Sequence, residues 1–373
     1  MEVEVIKMSS FHDTDTQVLN ISKENESFDI EALDALKRLT PKAQGRYKFL
    51  RSIGFGGNKG VILVHDRETE REVAMAFIPD FRDRSKDDLE QFLREAFLTA
   101  RLEHPNIVPV HDIGIDEAGS PYFIMKYLRG APLSTILSRL ANKDVNTVES
   151  YNLGKLLQVF IRICNAVAFA HSKGYCHLDL KPANVNIDNF GEVVVLDWGL
   201  AAKIDEDGFV NPTKIKGTWG TPGFIAPEQF THEFHISPGV RSDIYSLGAI
   251  LYTILALKIP TVGDSTETML KAVLDGNLPA PSEVAPKDRH VPASLEAIVT
   301  KAMNIHPMSR YNSVIDLKND VLAYISGFAT VAENASVTKK FYLFTFRNRA
   351  YIAIIVSIIA LLLSIFIFLL IVK

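Results

Sequence analysis

The chain has little cysteine and no excess of positive charge. Its 373 residues include two cysteines, Cys164 and Cys176, and neither belongs to a C-x-x-C or a His-paired spacing. This sparse usage gives no disulfide framework and no zinc site, and it fits a reducing compartment. The formal net charge of -4 lacks the Lys/Arg surplus of nucleic-acid-binding domains, so we expect no nucleic-acid partner. Hydrophobic residues at 47% and charged residues at 23% are ordinary for a globular protein.

The first twenty residues also lack the apolar core of a signal peptide. Residues 350–372, in contrast, carry no charge, and as a helix they would extend roughly 33 Å, enough to cross a bilayer core. A buried core helix is the alternative, but such a helix is rarely hydrophobic on every face. Four basic residues precede this stretch and only one follows it: Lys339, Lys340, Arg347 and Arg349 before, Lys373 after. We therefore predict a single-pass helix in the cell membrane bilayer, with the preceding residues cytoplasmic and no sensor domain beyond it.

Hydrophobic periodicity divides the rest of the chain into four parts. Residues 1–45 form a polar, acidic extension. Short β-branched strands and one amphipathic helix fill residues 46–125, and longer helices dominate residues 130–325. Residues 326–349 are predicted to be a juxtamembrane linker. The predicted fold class is α+β, with a β-rich N-lobe followed by a helical C-lobe and one C-terminal transmembrane helix.

Several motifs follow one another in a specific order. The sequence His177-Leu178-Asp179-Leu180-Lys181-Pro182-Ala183-Asn184 is followed by Asp197-Trp198-Gly199, with Gly54-Phe55-Gly56-Gly57 upstream, and Gly220 to Glu228, Asp243 to Gly248 and Arg310 downstream. These stretches resemble the catalytic loop, the metal-binding motif, the glycine-rich loop and the substrate-docking segment of protein kinases. The chain most resembles bacterial eukaryote-like serine/threonine kinases. The resemblance covers about residues 46–325 and implies the bilobal protein kinase fold, with ATP and Mg²⁺ between the lobes.

The resemblance implies roles for the catalytic-loop residues. Asp179 would orient the substrate hydroxyl and accept its proton, and Lys181 would steady the γ-phosphate. Asn184 and Asp197 would supply oxygen ligands to Mg²⁺. Lys181, together with Thr221, is typical of kinases that act on Ser and Thr. Glu228 and Arg310 would form the buried ion pair of the family.

The same resemblance implies a set of ATP-binding residues in and around the N-lobe. Met125 occupies the gatekeeper position, and Tyr127 lies in the hinge. The complete set is Ile53, Gly54, Gly56, Gly57, Lys59, Val61, Ala74, Glu95, Met125, Tyr127 and Asp197.

The third strand departs from the family pattern. Ala76 stands where the phosphate-binding lysine is expected, although its usual partner Glu95 is present. Lys59 occupies the third glycine position of the loop and should share a strand face with Val61. This arrangement resembles the with-no-lysine kinases, in which the lysine sits in the glycine-rich loop. Two alternatives stay open: a solvated Lys59, with Gly60 taking the glycine's role, and a pseudokinase.

A second departure is Leu178, which replaces the catalytic-loop arginine that pairs with a phosphorylated activation segment. We therefore expect activity without a strict need for phosphorylation at Thr213 or Thr218. Trp198, in place of the usual phenylalanine, is expected to be a packing residue.

The function predicted from these residues is transfer of the ATP γ-phosphate to Ser or Thr of cytosolic proteins by a membrane-anchored kinase. The alternative is a catalytically inactive pseudokinase that acts as a membrane-bound nucleotide-binding scaffold. A small-molecule kinase is less favoured, because the substrate-docking segment with Thr221 is complete. The oligomeric state stays open between a monomer and a homodimer.

Overall fold

The computed structural model describes residues 39, 41–56, 59–210, 220–230, 237–261 and 265–371. These residues divide into two compact units. The first contains the residues up to Arg101 together with Pro109–Leu128. The second contains Leu102–Val108 together with the residues from Arg129 onward.

The first unit is built on a five-stranded antiparallel sheet in the order β1-β2-β3-β5-β4. Its elements in chain order are helix α1 (Pro41–Arg46), β1 (Tyr47–Gly56), β2 (Lys59–Asp66), β3 (Arg71–Phe77), α2 (Lys86–Arg101), β4 (Val110–Ile115) and β5 (Pro121–Lys126). The two-residue alternation of β3 places buried side chains on both faces of the sheet. One face packs against α1 and the other against α2.

The core of the first unit extends further toward the N-terminus than the predicted boundary at residue 46. Leu39 and Ala43 are buried in the same cluster as Ile62 and Val64 of β2. Arg46 donates from Nε and Nη2 to the buried Asp66 carboxylate at 2.9 and 2.8 Å. Residues 39–45 therefore include part of the N-lobe and not only a polar extension.

The second unit is mainly helical, with short strands that support its loops. Its helices are α3 (Leu133–Ala141), α4 (Val145–Ser150), α5 (Leu153–Ser172), α6 (Val240–Ala256), α7 (Thr266–Leu274), α8 (Pro281–Val284), α9 (Ala293–Ala302), α10 (Val314–Ile325), α11 (Val337–Arg347) and α12 (Arg349–Ile371). Its strands are β6 (Ala131–Pro132), β7 (Tyr175–Cys176), β8 (Val185–Ile187), β9 (Val193–Val195) and β10 (Ala202–Lys203). Helix α6 is buried along almost its whole length, as expected for a helix that is apolar on several faces.

The segment Leu102–Val108, which lies within the predicted N-lobe of residues 46–125, groups with the second unit. The reason is its pairing with β9. Ile107 forms a parallel bridge with Val195, and the Asn106 side-chain amide donates to the Val193 carbonyl at 2.8 Å. These bonds satisfy backbone groups of both segments, so the segment folds with the helical unit.

The stretch predicted to be a linker contains the helix α11, and α12 follows it directly. Beyond Arg349, the described side chains of α12 carry no charge and are mostly exposed. Among the described residues, one helix by itself is long and apolar enough to cross a membrane, and this is α5, half of which is buried in the second unit. Helix α11 and Arg349–Ile365, which meet at a bend of 80°, pass the same criterion when they are counted together as one bent span.

Candidate active site

Lys59 lies at the start of β2, on the face of the sheet that packs against α2. It shares this face with Val61, which pairs directly with Ala76 of β3. Helix α2 places Glu95 opposite, and Lys59 Nζ lies 2.5 Å from Glu95 Oε1. Both side chains are largely shielded, with 25% of Lys59 and 12% of Glu95 exposed. A lysine of the glycine-rich hairpin therefore meets the glutamate that the sequence suggested as the partner of a third-strand lysine.

Ala76 leaves room for this arrangement. It is fully buried against Phe92 and Ala96 of α2, so only a methyl group occupies the third-strand position. Gly60 faces the other side of the sheet and pairs with Phe77, whose ring lies 2.7 Å from where a Cβ of residue 60 would stand. The Phe77 ring therefore fills the space that a side chain at position 60 would take.

The other predicted nucleotide-binding residues of the first unit lie on the strands as follows. Ile53, Gly54 and Gly56 belong to β1, Val61 to β2, Ala74 to β3 and Met125 to β5, with Tyr127 just after β5. Gly57 lies outside the described residues. Tyr127 accepts a 2.6 Å hydrogen bond at its hydroxyl from Arg51 of β1, a contact that the sequence gave no signal for.

Two polar side chains of the second unit, one from the catalytic loop and one from the substrate-docking segment, surround the Asp179 carboxylate. Lys181 Nζ lies 2.8 Å from Asp179 Oδ2, and the same ammonium donates to Thr221 Oγ1 at 2.7 Å. Thr221 in turn donates to Asp179 Oδ1 at 3.1 Å. Both carboxylate oxygens are thus oriented by fixed donors. An ionised carboxylate held beside an ammonium can accept a proton from a hydroxyl and keep the resulting charges stabilised.

Asn184 and Asp197 fit the oxygen-ligand chemistry of Mg²⁺. The Asn184 amide nitrogen donates to the Asp179 carbonyl and carboxylate at 3.0 and 3.3 Å, which turns the amide oxygen away from that residue. The Leu196 N–H donates to the Asn184 carbonyl at 2.8 Å. Asp197 is the next residue along the chain, so this backbone bond keeps it close to Asn184. An amide oxygen and a carboxylate are hard ligands of the kind Mg²⁺ prefers.

The backbone of the catalytic loop is held by groups to which the sequence gave no role. The buried Asp243 of α6 accepts from the backbone N–H groups of His177 and Leu178, both at 2.8 Å. Burial alone would raise the pKa of Asp243, but the hydrogen bonds from the His171 ring and from the His177 backbone N–H lower it below its usual value. Gln229 adds a 2.9 Å bond from Nε2 to the Leu178 carbonyl. Asp243 and Gln229 lie far along the chain from the catalytic loop, so the sequence did not indicate these contacts.

His177 positions Asp179 through its ring. Its Nε2 donates to the Leu196 carbonyl at 3.0 Å, which leaves Nδ1 as the acceptor for Asp179 N–H at 3.3 Å. The Trp198 ring packs on the His177 ring with centroids 4.6 Å apart. Trp198 is buried, consistent with the predicted packing role.

Leu178 is buried in an apolar cluster with Cys176 and Val210, and Ile204 packs against them. Val210 and Ile204 belong to the segment that follows the metal-binding motif, and the two residues form a backbone bridge. The position of the usual arginine is therefore filled by hydrophobic packing. Thr213 and Thr218 lie outside the described residues.

Glu228 and Arg310 form the ion pair that the resemblance implied. Arg310 Nη1 and Nη2 lie 2.7 and 2.9 Å from the two Glu228 oxygens, and both side chains are buried. Ser242 donates to Glu228 at 2.7 Å, and Arg310 also donates to the carbonyls of Arg241 and Asn304. These additional bonds satisfy a pair that would otherwise be costly to bury.

Comparisons with known proteins agree with this geometry. The protein kinase domain family matches residues 47–321. A serine/threonine-protein kinase PknD from Protochlamydia amoebophila is 35% identical over 299 residues, which cover 75% of this chain and 30% of that protein. A protein of the same name from Chlamydia pneumoniae is 35% identical over 302 residues, covering 76% of this chain and 31% of that protein. The chain thus matches less than a third of the length of these curated relatives. The motifs, the catalytic-loop geometry and the family match together show that the chain belongs to the protein kinase family.

Proposed function

We propose that this chain is a serine/threonine protein kinase that transfers the γ-phosphate of ATP to Ser or Thr side chains of cytosolic proteins. The observation that carries the proposal is the arrangement of Asp179, Lys181 and Thr221, in which each side chain contacts the other two. Phosphoryl transfer needs positioning and charge stabilisation more than covalent chemistry, and these three residues supply both.

In the proposed mechanism, Asp179 orients the attacking hydroxyl and takes its proton. Lys181 stabilises the negative charge that develops on the transferring phosphoryl group, and Thr221 keeps the lysine and the aspartate in place. Asn184 and Asp197 hold Mg²⁺, which when bound neutralises charge on the phosphates. Lys59, oriented by Glu95, provides the positive charge for the nucleotide phosphates that the third strand lacks, as in the with-no-lysine kinases.

The proposal is tested by incubating the full chain with radiolabelled ATP, Mg²⁺ and a generic basic protein acceptor. We expect label in phosphoserine or phosphothreonine, and Asp179→Asn should abolish it. Incorporation that is equal in the two proteins would show that Asp179 is not the base. Nucleotide binding without any transfer would favour the alternative, a pseudokinase scaffold, which the alanine at position 76 motivates.

We further propose that α12 anchors the chain in the cell membrane with the kinase domain in the cytoplasm. Its 23 residues extend roughly 34 Å, compared with about 30 Å for a hydrocarbon core. Lys339, Lys340 and Arg347 precede it and Arg349 is its first residue, as the positive-inside rule requires for a cytoplasmic N-terminal side. Resistance of the membrane-bound chain to alkaline carbonate extraction, lost when residues 350–373 are deleted, is the expected result. Equal extraction of both proteins would contradict the anchor.

We also propose that the chain is active without phosphorylation of its activation segment. The reason is the packing of Leu178. An apolar side chain cannot pair with a phosphate, and the contacts of Leu178 with Val210 hold the segment by burial instead. A chain treated with phosphatase, and the double variant Thr213→Ala/Thr218→Ala, should retain the activity of the untreated chain. Inactivity of both proteins, with the phosphatase-treated chain recovering only after it is phosphorylated again, would refute this proposal.

A further inference from the structure

Helix α11 carries an apolar stripe that no described part of the chain covers. Val337, Phe341 and Phe344 are 82%, 68% and 51% exposed. Their spacing of four and three residues places them on one face of the helix. Two further exposed rings, those of Tyr342 and Phe346, stack on each other on another face of the same helix, with centroids 6.3 Å apart. Exposed apolar surface of this extent marks an interaction site more often than a solvated face.

Another face of α11 is fastened to the second unit. Lys339 Nζ lies 2.5 Å from Glu333 Oε2, and Glu333 also accepts from Ser294 of α9 at 2.6 Å. The Arg347 guanidinium lies 3.8 Å from the centroid of the Phe328 ring. Two of the three basic residues of α11, Lys339 and Arg347, are therefore engaged by residues of the second unit.

The segment between α10 and α11 is also held in place by hydrogen bonds. The buried Asp320 of α10 accepts from the backbone N–H groups of Val331 and Ala332 at 2.5 and 2.9 Å, and from the Tyr311 hydroxyl at 2.7 Å. Thr330 N–H donates to the Glu333 carboxylate at 3.0 Å. Because these bonds fix the chain immediately before α11, the helix cannot swing freely about the second unit.

The direction of α12 relative to α11 indicates what the apolar stripe contacts. The axes of α11 and of Arg349–Ile365 meet at 80°. The described side chains of α12 are mostly exposed, so this helix leaves the folded body. If α12 crosses a bilayer, α11 lies almost in the membrane plane, at the level where the crossing begins. Amphipathic helices in that plane bury their apolar face about 5–10 Å into the boundary between headgroups and acyl chains.

We infer that α11 is an interfacial membrane helix, whose stripe of Val337, Phe341 and Phe344 lies in the headgroup–acyl boundary of the bilayer that α12 spans. This inference rests on the proposed membrane anchor and adds to it a fixed orientation of the kinase domain. The exposed cations Lys340 and Arg349 suit the lipid phosphates at the same depth.

The test uses nitroxide spin labels on the full chain in lipid nanodiscs of phosphatidylcholine and phosphatidylglycerol. Labels are attached to Phe341→Cys and Phe344→Cys in separate preparations. The native cysteines are buried, and burial raises the pKa of both thiols, so they compete little for the label. Phe190→Cys is the matched control, because Phe190 is 97% exposed on the turn between β8 and β9. Ile358→Cys, in the middle of α12, reports on the anchor.

Collision rates with oxygen, which concentrates in lipid, and with a polar nickel complex give the depth of each label. We expect a several-fold higher ratio of oxygen to nickel collisions at positions 341 and 344 than at 190, and a higher ratio still at 358. A lipid-like value at 358 with water-like values at 341 and 344 would overturn the interfacial helix and leave the anchor standing. Water-like values at all of these positions would refute both. Dipolar coupling between labels at position 341 of two copies, with water-like accessibility, would assign the stripe to a dimer contact and also overturn the inference.

Discussion

The substitution Lys59→Ala most directly distinguishes the two alternatives for this chain, an active kinase and a catalytically inactive pseudokinase. Lys59 and Glu95 are 25% and 12% exposed, so this largely shielded ion pair contributes more to folding than the about 0.2–1 kcal/mol of an exposed pair. Alanine at position 59 leaves the Glu95 carboxylate without this cation and should lower the melting temperature by a measurable amount. Loss of one preorganised charge-stabilising donor, in contrast, costs about 10²- to 10³-fold in rate, or about 2.7–4 kcal/mol of transition-state stabilisation. We expect a fall in kcat/KM of this size at a temperature where thermal unfolding shows that the variant is still folded.

The assay measures the rate at which one acceptor protein is phosphorylated with radiolabelled ATP. Thermal unfolding of each variant is measured alongside. Lys48→Ala is the matched control, because Lys48 is an exposed lysine of the neighbouring strand β1. The double variant Lys59→Gly/Ala76→Lys should recover part of the activity. The recovery is partial because a lysine stem at position 76 must displace side chains around Phe92, and overpacking costs about 1–3 kcal/mol. If Lys59→Ala is as fast as the wild type, the charge at position 59 is not used, and the reasoning is wrong.

Three further predictions concern stability, measured by urea unfolding of the detergent-solubilised chain. Leu178→Ala should lower the free energy of unfolding by about 2–4 kcal/mol, because it empties part of a buried apolar cluster; a loss as small as that of the exposed Leu50→Ala would contradict this. Arg310→Ala should cost about 3–5 kcal/mol, since it leaves the Glu228 carboxylate buried without its cation, and a fully stable variant would show that the pair is dispensable. The hydrogen bond from Arg46 holds the pKa of Asp66 well below its usual range. The resulting stabilisation is complete above the unfolded pKa of about 3.9 and is lost as the pH falls toward the folded pKa. Asp66→Asn should therefore flatten the acid side of the stability profile, and an unchanged slope would refute the assignment.

The sequence was informative where chemistry depends on residues close together along the chain. Asp179, Lys181 and Asn184 lie within one short motif, so their mutual contacts could be anticipated. The face shared by Lys59 and Val61 followed from strand alternation alone, and the structure places Lys59 against Glu95 on that face.

The remaining features depend on tertiary contacts between distant segments. Asp243 reaches the catalytic loop from a helix more than sixty residues later, and no local pattern announces this. Leu102–Val108 joined the helical unit because β9 supplied its backbone partners, whereas its position in the chain favoured the N-lobe. Residues 326–349 were predicted to be a linker into the membrane, and the bonds to Asp320 and Glu333 that order them are made only in the folded state.

The first turn of α6 and the residues before it have two attachments in the second unit. Asp243 binds the backbone at His177 and Leu178, while Pro238 and Val240 exchange backbone hydrogen bonds with Val210 and Gly208. Position 239 is glycine because a Cβ there would stand 2.1 Å from the Gly208 carbonyl oxygen. Amide protons of the catalytic loop and of the segment around Val210 are therefore protected by the same few residues. Opening this helix start would expose both sets together, so the two segments should exchange with solvent deuterium as one cooperative unit.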